Sequence, residues 1–128
     1  MRNGFRIPYA LPSLNDVIAA NRKNRYKGAN LKSSTEFGIK VQIRVAINAG
    51  LCRPIEKPCR IVFTWGEKDR RRDLDNVFSA KKFVLDAMVA SGILPDDGQK
   101  WVTGLDDDIR IGVDYVDVRI IEDGDPDA

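Results

Sequence analysis

The spacing of apolar residues divides the N-terminal part of the chain into three short segments. Residues 4–12 (GFRIPYALP) alternate and are rich in strand-forming side chains, which predicts a first strand that ends at Pro12. Ser13, followed three residues later by Asp16, is a helix-start pattern. Residues 21–32 (NRKNRYKGANLK) are basic, contain a glycine and lack periodicity, so we expect a loop there.

A second helix and a second strand follow. Ser33 and Glu36 match the S-x-x-E capping box and predict a helix that Gly50 ends. The apolar residues of this helix recur every four positions along one side: Phe37, Val41, Val45 and Ala49. Residues 59–65 (CRIVFTW) then favour a strand.

The C-terminal half predicts one buried helix and several strands. Residues 76–91 are apolar almost all round, so we expect a largely buried helix, capped by Asp75–Asn76 and ended by Gly92. Residues 101–122 hold two or three short strands. The order β-α-α-β-α-β-β predicts an α+β fold in one domain, residues 1–121, with about three helices on a mixed sheet. Residues 122–128 are expected to be an acidic, disordered tail.

Composition narrows the class of protein. The chain has 128 residues, 43% of them apolar and 31% charged, which is typical of one globular domain. No apolar run approaches the roughly 20 residues of a membrane helix, and the basic N-terminus lacks an apolar signal segment. We therefore expect a cytoplasmic protein without a membrane partner, in which Cys52 and Cys59 are reduced and structural.

The chain contains no histidine. That excludes Ser-His-Asp and Cys-His nucleophiles and every imidazole base. Any hydrolytic chemistry must therefore rest on carboxylates, lysines and a metal ion.

Charge is divided unevenly along the chain. Residues 1–72 carry a formal charge of +11 and residues 73–128 carry −9. A basic half joined to an acidic half suits a polyanionic partner held beside a cation site. Two solvated faces of opposite sign would give the same composition.

Two acidic pairs are candidates for metal binding. Asp73 and Asp75 would lie on one side of an extended segment, where two carboxylates can share one Mg²⁺ ion. Asp96 and Asp97 form a second pair after Pro95. The simpler interpretations are an N-cap with a surface charge for the first pair and an Asp-rich turn for the second.

Two charged residues interrupt the apolar helix predicted at 76–91. On a continuous helix Lys82 and Asp86 lie about 20° either side of Asp75 in phase, whereas Lys81 lies about 120° away. Helical side chains lean toward the N-terminus, so Lys82 would point toward the first acidic pair. A plain i, i+4 salt bridge between Lys82 and Asp86 is the alternative.

The combination D-x-D-N, K-x-x-x-D and G-x-x-x-D-D, which spans residues 73–97, resembles the RusA-type Holliday junction resolvases. The N-terminal segment through Lys32 and the last predicted strand resemble that family as well, so the resemblance covers most of the chain. It implies a homodimeric endonuclease that uses Mg²⁺, or Mn²⁺ in its place, and cuts branched DNA at four-way junctions. It also implies a phage or prophage setting.

The resemblance assigns roles to individual residues. The family's catalytic and metal-binding aspartates correspond to Asp73, Asp75 and Asp97, with Asp96 as the neighbour of Asp97. The family's lysine follows the second aspartate by four residues, a position that Ser79 occupies here. Counting back from Asp86 gives Lys82 instead, as though three residues had been inserted after Asn76. Asn76, Asp86 and Gly92 are assigned structural roles.

Basic residues flank the acidic pairs and fill the predicted loop. Arginines beside metal-binding carboxylates would hold the flanking phosphates of a DNA backbone. The loop would add a sequence-independent electrostatic grip, with an aromatic ring to stack on an unpaired base. The predicted DNA-binding residues are Arg22, Lys23, Arg25, Tyr26, Lys27, Lys32, Arg70, Arg71 and Arg72. Solvated loops are the alternative interpretation.

Two other functions are compatible with parts of this pattern. A protein that binds branched DNA without cutting it would keep the basic half and would not need the four aspartates. A D-x-D transferase would need a phosphate-binding loop, and the chain has no Gly-rich fingerprint of that kind.

Overall fold

The computed structural model describes residues 2–126 and contains one four-stranded sheet with helices packed on it. The elements are β1 Asn3–Ile7, α1 Leu14–Lys23, α2 Arg25–Asn48, β2 Cys59–Glu67, α3 Leu74–Phe78, α4 Lys81–Ala90, β3 Val102–Ile111 and β4 Val116–Glu122. The predicted α+β class with a mixed sheet is confirmed. No helix within residues 2–126 combines the length and the apolar character needed to cross a bilayer.

The strands lie in the order β1-β4-β2-β3. β4 pairs antiparallel with both β1 and β2, whereas β2 and β3 are parallel. Parallel neighbours require a crossover connection, and α3 and α4 lie in this one. The crossover carries every predicted active-site residue, so its path decides which side chains can meet.

One face of the sheet is buried and the other is polar. Ile61, Phe63 and Trp65 alternate along β2, are almost fully buried, and share one core cluster with residues of α2 and α4. Phe63 stacks on Trp65 with 5.2 Å between ring centroids. Elsewhere in the sheet, polar side chains of neighbouring strands pair with each other, as Arg6 of β1 does with Asp117 of β4 at 2.6 Å. This one-sided burial is typical of sheets with antiparallel pairs.

The prediction of a loop at residues 21–32 is wrong, because this segment is helical on both sides of Asn24. α1 continues to Lys23, and α2 begins at Arg25, where the Asn24 side chain accepts a hydrogen bond from the Lys27 N–H at 2.9 Å. The predicted start at Ser33 therefore lies inside α2. The segment lacks an apolar stripe because it is exposed. The Ser13–Asp16 capping box of α1 is present as predicted.

α2 carries two apolar stripes, and the one noticed in the sequence is the exposed one. Phe37, Val41 and Val45 are 65%, 41% and 56% exposed. The core is filled instead by a second set of apolar residues, Ile39, Ile43 and Ala46. The four-residue spacing predicted the helix correctly but did not identify the side that packs on the sheet.

The single helix predicted at 76–91 is broken. α3 ends at Phe78 and α4 starts at Lys81, with a turn between them in which the Ser79 hydroxyl donates to the Asn76 carbonyl at 2.7 Å. As predicted, the helix stops at Gly92, which has a φ of +80°. Because of this break, the directions of Lys81, Lys82 and Asp86 relative to Asp75 differ from those on a continuous helix.

β3 is an edge strand with three consecutive aspartates. Asp106 pairs with Arg60 at 2.9 Å, and Asp108 is exposed. Asp107 is mostly buried, accepting from Lys81 Nζ at 2.5 Å and from Trp65 Nε1 at 2.9 Å. Lys81, predicted to face away from the candidate site, therefore ties the start of α4 to the sheet.

The C-terminal boundary at residue 121 is wrong by one residue, because Glu122 is the last residue of β4 and is buried. Its carboxylate accepts from Arg53 Nη1 at 2.5 Å and from the Glu56 N–H at 3.2 Å. Residues 123–126 follow as a turn, in which the Asp123 N–H donates to the Pro58 carbonyl at 2.8 Å. The remainder of the predicted tail, Asp127 and Ala128, lies outside the described residues.

Glu122→Gln is expected to lower the free energy of unfolding by about 1–3 kcal/mol at pH 7, the range for a buried charged hydrogen bond. Burial raises the pKa of Glu122, but the hydrogen bond from Arg53 and those from backbone N–H groups outweigh it, so the folded-state pKa is lowered. The ionised Glu122 side chain therefore contributes its full stabilisation above the unfolded-state pKa of about 4.3. This contribution is lost as the pH falls through the lower pKa of the folded state.

Urea unfolding of wild type and Glu122→Gln from pH 7 to pH 3 measures this difference. The exposed Asp108→Asn variant is the matched control and should stay within about 0.5 kcal/mol of wild type. A difference between wild type and Glu122→Gln that stays constant down to pH 3 would contradict the assignment.

The two cysteines are free and buried, as expected for reduced structural thiols. Burial is the main cause that raises the pKa of both, and it raises that of Cys59 to about 11. A thiol with such a pKa is almost entirely protonated at neutral pH, and so is a poor nucleophile and metal ligand.

Candidate active site

Asp73 and Asp75 lie at the start of α3, but in different backbone conformations. Asp73 is the N-cap residue, with extended backbone, and its side chain makes no capping hydrogen bond. Asp75 is already helical, and its Oδ1 accepts from the Asn76 N–H at 2.9 Å. The expectation that an extended segment directs both carboxylates to one side is therefore wrong. Both residues are exposed.

The start of α3 is tied to the connection between β1 and α1. Asn76 Oδ1 accepts from the Asn15 N–H at 2.9 Å, and Arg72 Nη2 donates to the Leu11 carbonyl at 3.3 Å. These two bonds link segments 61 positions apart in the chain. The two bonds fix the position of the backbone at Asp73 and Asp75, although the side chains of these two aspartates are exposed.

Lys82 joins α4 to the second acidic pair. Its Nζ lies 2.9 Å from Asp86 Oδ1 and 3.1 Å from Asp97 Oδ2. The i, i+4 pair with Asp86, which was the alternative interpretation, is thus present, together with a contact across 15 positions of the chain. The prediction that Lys82 points toward Asp73 and Asp75 is wrong, because within residues 2–126 its ammonium group contacts Asp86 and Asp97 instead. Hydrogen bonding to Asp86, and then to Asp97, raises the pKa of Lys82, so its side chain is a cation at every physiological pH.

The four candidate metal-binding aspartates are not gathered into one cluster. The Asp96 carboxylate accepts a hydrogen bond from the Gly98 N–H at 3.1 Å, whereas the Asp97 carboxylate pairs with Lys82. Nowhere in residues 2–126 do three or more acidic or cysteine side chains form a group that could hold a metal ion. Exposed carboxylate oxygens are the donors that Mg²⁺ prefers, and it binds through as few as one or two of them. The residue types therefore suit the ion, whereas the predicted grouping is not present.

The three arginines before Asp73 have different environments. Arg72 lies 3.3 Å from Glu67 and is partly buried. The Arg71 side chain is highly exposed, and its only ion pair within residues 2–126 is a 3.6 Å contact with Asp69. Arg70 is exposed and makes no hydrogen bond or ion pair within residues 2–126. Arg70 and Arg71 are thus available to a ligand, while Arg72 is used by the fold.

A cavity of about 650 Å³ lies beside Asp73, between the end of the β2–β3 pair and the start of α3. Glu67, the last residue of β2, lines it with a buried carboxylate. Glu67 was not among the predicted site residues, because one acidic residue in the charged segment GEKDRRR carries no motif. Its position at the end of an alternating buried strand was the feature that could have identified it.

The predicted basic DNA-binding residues of α1 and α2 lie on the surface. Arg22, Lys23, Arg25, Tyr26, Lys27 and Lys32 are all exposed, and the Tyr26 ring is 77% exposed. A Cβ atom at Gly28 would lie 1.7 Å from Asn21 Oδ1, so the two helices are closely packed where these residues gather. The first turn of α2 contains no acidic residue, although acidic residues there would stabilise the helix dipole.

No protein-family model matches the chain, and no curated protein matches it.

Proposed function

We propose that this protein is a metal-dependent endonuclease that resolves four-way DNA junctions by paired, symmetric cleavage. Its resemblance to the RusA-type resolvases supports a cytoplasmic role in recombination and repair in a phage or prophage setting. The structural observation that supports the proposal most is the Lys82–Asp97 contact. It joins the K-x-x-x-D and D-D parts of the motif at 3.1 Å, in a chain without histidine.

The candidate active site combines acceptors of a cation with a fixed positive charge. Mg²⁺ or Mn²⁺ held by one or two of the proposed ligands, Asp73, Asp75, Asp97 and the adjacent Asp96, would supply a Lewis acid for phosphodiester hydrolysis. Lys82 offers an ammonium group whose raised pKa keeps it charged. Such a group stabilises the negative charge that develops on a phosphate in the transition state.

The basic residues of α1 and α2 support binding to the phosphates of the DNA backbone. Their positive charge lies beside the N-terminus of α2, where the helix dipole adds a positive potential, and phosphate oxygens complement both. Tyr26 presents a ring on which an unpaired base can stack. Arg70 and Arg71 would extend the phosphate contacts to Asp73.

We expect Arg25→Ala and Lys27→Ala each to weaken junction binding and to reduce the slope of log K against log salt by about 1, as the loss of one phosphate contact does. Fluorescence anisotropy in EDTA between 50 and 200 mM salt, roughly the range over which such slopes are resolved, gives both quantities. Lys100→Ala removes an exposed lysine outside the basic helices and should leave the slope unchanged. An unchanged slope for both Arg25→Ala and Lys27→Ala would show that the start of α2 does not contact the DNA backbone.

We propose that the protein acts as a homodimer, because paired nicks on a four-way junction require two sites related by two-fold symmetry. Light scattering at micromolar concentration should report twice the 14.4 kDa chain mass. A monomer mass together with full resolving activity would contradict the proposal.

A cleavage assay on a mobile four-way junction tests the proposed activity. Symmetric nicked duplexes should form with Mg²⁺ and should not form with EDTA. Linear duplex of the same sequence is the control and should stay intact. If the junction is bound but never cut with Mg²⁺ or Mn²⁺, the endonuclease proposal fails.

A protein that binds branched DNA without cutting it is the second candidate. The observation that favours it is the separation of the candidate aspartates, since no group of three acidic side chains is assembled within residues 2–126. Junction binding that EDTA does not affect, together with no cleavage in either metal, would establish this function instead.

A further inference from the structure

The cavity beside Asp73 combines apolar walls with one buried carboxylate. We call it the Glu67 cavity; its lining residues include Glu67, Arg70, Arg72, Asp73, Leu74, Ile109 and Ile111. Its volume of about 650 Å³ is within the range of small-molecule sites. Leu74 and Ile111 are both substantially exposed, so apolar surface is open to a ligand there.

The Glu67 carboxylate lacks a well-aligned hydrogen-bond donor. Its side chain is only 8% exposed, and its one polar contact within residues 2–126 is with Arg72 Nε at 3.3 Å. Arg72 Nε is a buried nitrogen that makes no hydrogen bond within the described residues. Because the Glu67 oxygens make no hydrogen bond with residues 2–126, they keep their acceptor capacity for a ligand in the cavity that Glu67 lines. A ligand group that donates a hydrogen bond would complement them.

The chemistry of the cavity selects the kind of ligand. A carboxylate accepts hydrogen bonds from the exocyclic amino groups of cytosine, adenine and guanine, which thymine lacks. The aliphatic side chains of Leu74, Ile109 and Ile111 suit the flat faces of a base. Arg70, which makes no hydrogen bond or ion pair with residues 2–126, offers a cation to the phosphate of the same nucleotide.

We propose that the Glu67 cavity binds an unpaired nucleobase that carries an exocyclic amino group and is displaced from the branch point of the DNA substrate. This inference rests on the proposed function. Asp73 lines the same cavity, so a base held there would place its backbone beside the candidate active site. Displacing a base requires least free energy where its pairing is already interrupted, as at a branch point.

The first test uses free nucleotides and does not depend on cleavage. Methyl NMR of Ile109 and Ile111 is followed during titration with dAMP, dCMP and dTMP at millimolar concentration. We expect dAMP and dCMP to shift both methyl signals and dTMP to shift them several-fold less. If all three nucleotides leave these signals unchanged, or shift them equally, the proposal is overturned.

The second test is a double-mutant cycle on junction binding in EDTA. The junctions carry adenine, thymine or an abasic site at one branch-point position, and the cavity-filling variant Ile111→Trp is compared with wild type. Leu51→Trp, at an exposed position that does not line the cavity, is the matched control. Ile111→Trp leaves both charged partners of the Glu67–Arg72 pair in place.

We expect wild type and Leu51→Trp to bind the adenine junction about 10-fold more tightly than the other two, the scale of one specific base contact. Ile111→Trp should bind all three alike. If every protein prefers adenine equally, or if none does, the displaced base does not enter the cavity and the proposal is overturned. If no junction is bound but dAMP and dCMP shift the methyl signals, the proposed function fails, and the cavity is a site for free nucleotides.

Discussion

Replacing Asp97 with asparagine is expected to reduce single-turnover cleavage of a four-way junction by about 10³-fold or more, at the upper end of what removal of one charge-stabilising group does to catalysis. Asp97 is half-buried, holds Lys82 at 3.1 Å and is a proposed cation ligand. Asparagine retains the shape and one acceptor oxygen but loses the charge. Junction affinity should be unchanged or tighter, because backbone contacts from Lys and Arg side chains supply it.

Asp73→Asn and Asp75→Asn are expected to behave like Asp97→Asn, while the exposed Asp108→Asn variant should cleave at the wild-type rate. Cleavage and anisotropy are measured on the same preparations, and circular dichroism confirms the fold. Near wild-type cleavage with Mg²⁺ by any one of the three variants would exclude that aspartate from the active site.

Lys82→Ala is expected to lower the cleavage rate by about 10²-fold, the scale for losing one donor that stabilises the transition state. The side chain is mostly exposed, so its removal should leave the fold intact. Since hydrogen bonding to Asp86 and Asp97 raises the pKa of Lys82, loss of its proton should not limit the wild-type rate up to about pH 10. Lys82→Arg keeps the charge and should recover part of the rate.

Lys81→Ala is the informative comparison. Lys81 is mostly buried against Asp107, so the variant should lose about 1–3 kcal/mol of stability, as when a buried charged partner is left behind. Its cleavage rate below the unfolding temperature should stay within a few-fold of wild type. If Lys81→Ala loses cleavage while remaining folded, or if Lys82→Ala cleaves normally, Lys82 does not replace the family's lysine.

The elements of the fold were predictable where burial imposes a period on the sequence. β2 and α1 have clear alternation or capping patterns, and the structure contains both. The helix over residues 25–32 was missed because an exposed basic helix needs no apolar stripe. The buried side of α2 was misassigned because the helix carries apolar residues on two sides, and only tertiary contacts decide which one packs.

The candidate site was less predictable, because its geometry depends on turns. The phases of Lys81, Lys82 and Asp86 relative to Asp75 hold only for an unbroken helix, and the turn at Ser79 and Ala80 interrupts it. Lys82 nevertheless reaches Asp97, because the chain reverses after Gly92 and brings the second acidic pair back toward α4. Asp107 could not be identified as an interacting residue, since Trp65 and Lys81 reach it only when β3 pairs with β2 and α4 packs on the sheet.

The three aspartates of β3 also affect how the protein behaves at high concentration. An open sheet edge exposes unpaired N–H and C=O groups that can recruit a strand from another molecule, the first step of aggregation. A second β3 strand laid along this edge would bring Asp106 and Asp108 close to their own copies, and like charges on paired strands repel. The acidic edge thus protects the sheet from fibril-like growth, and Asp106→Val or Asp108→Val would remove that protection.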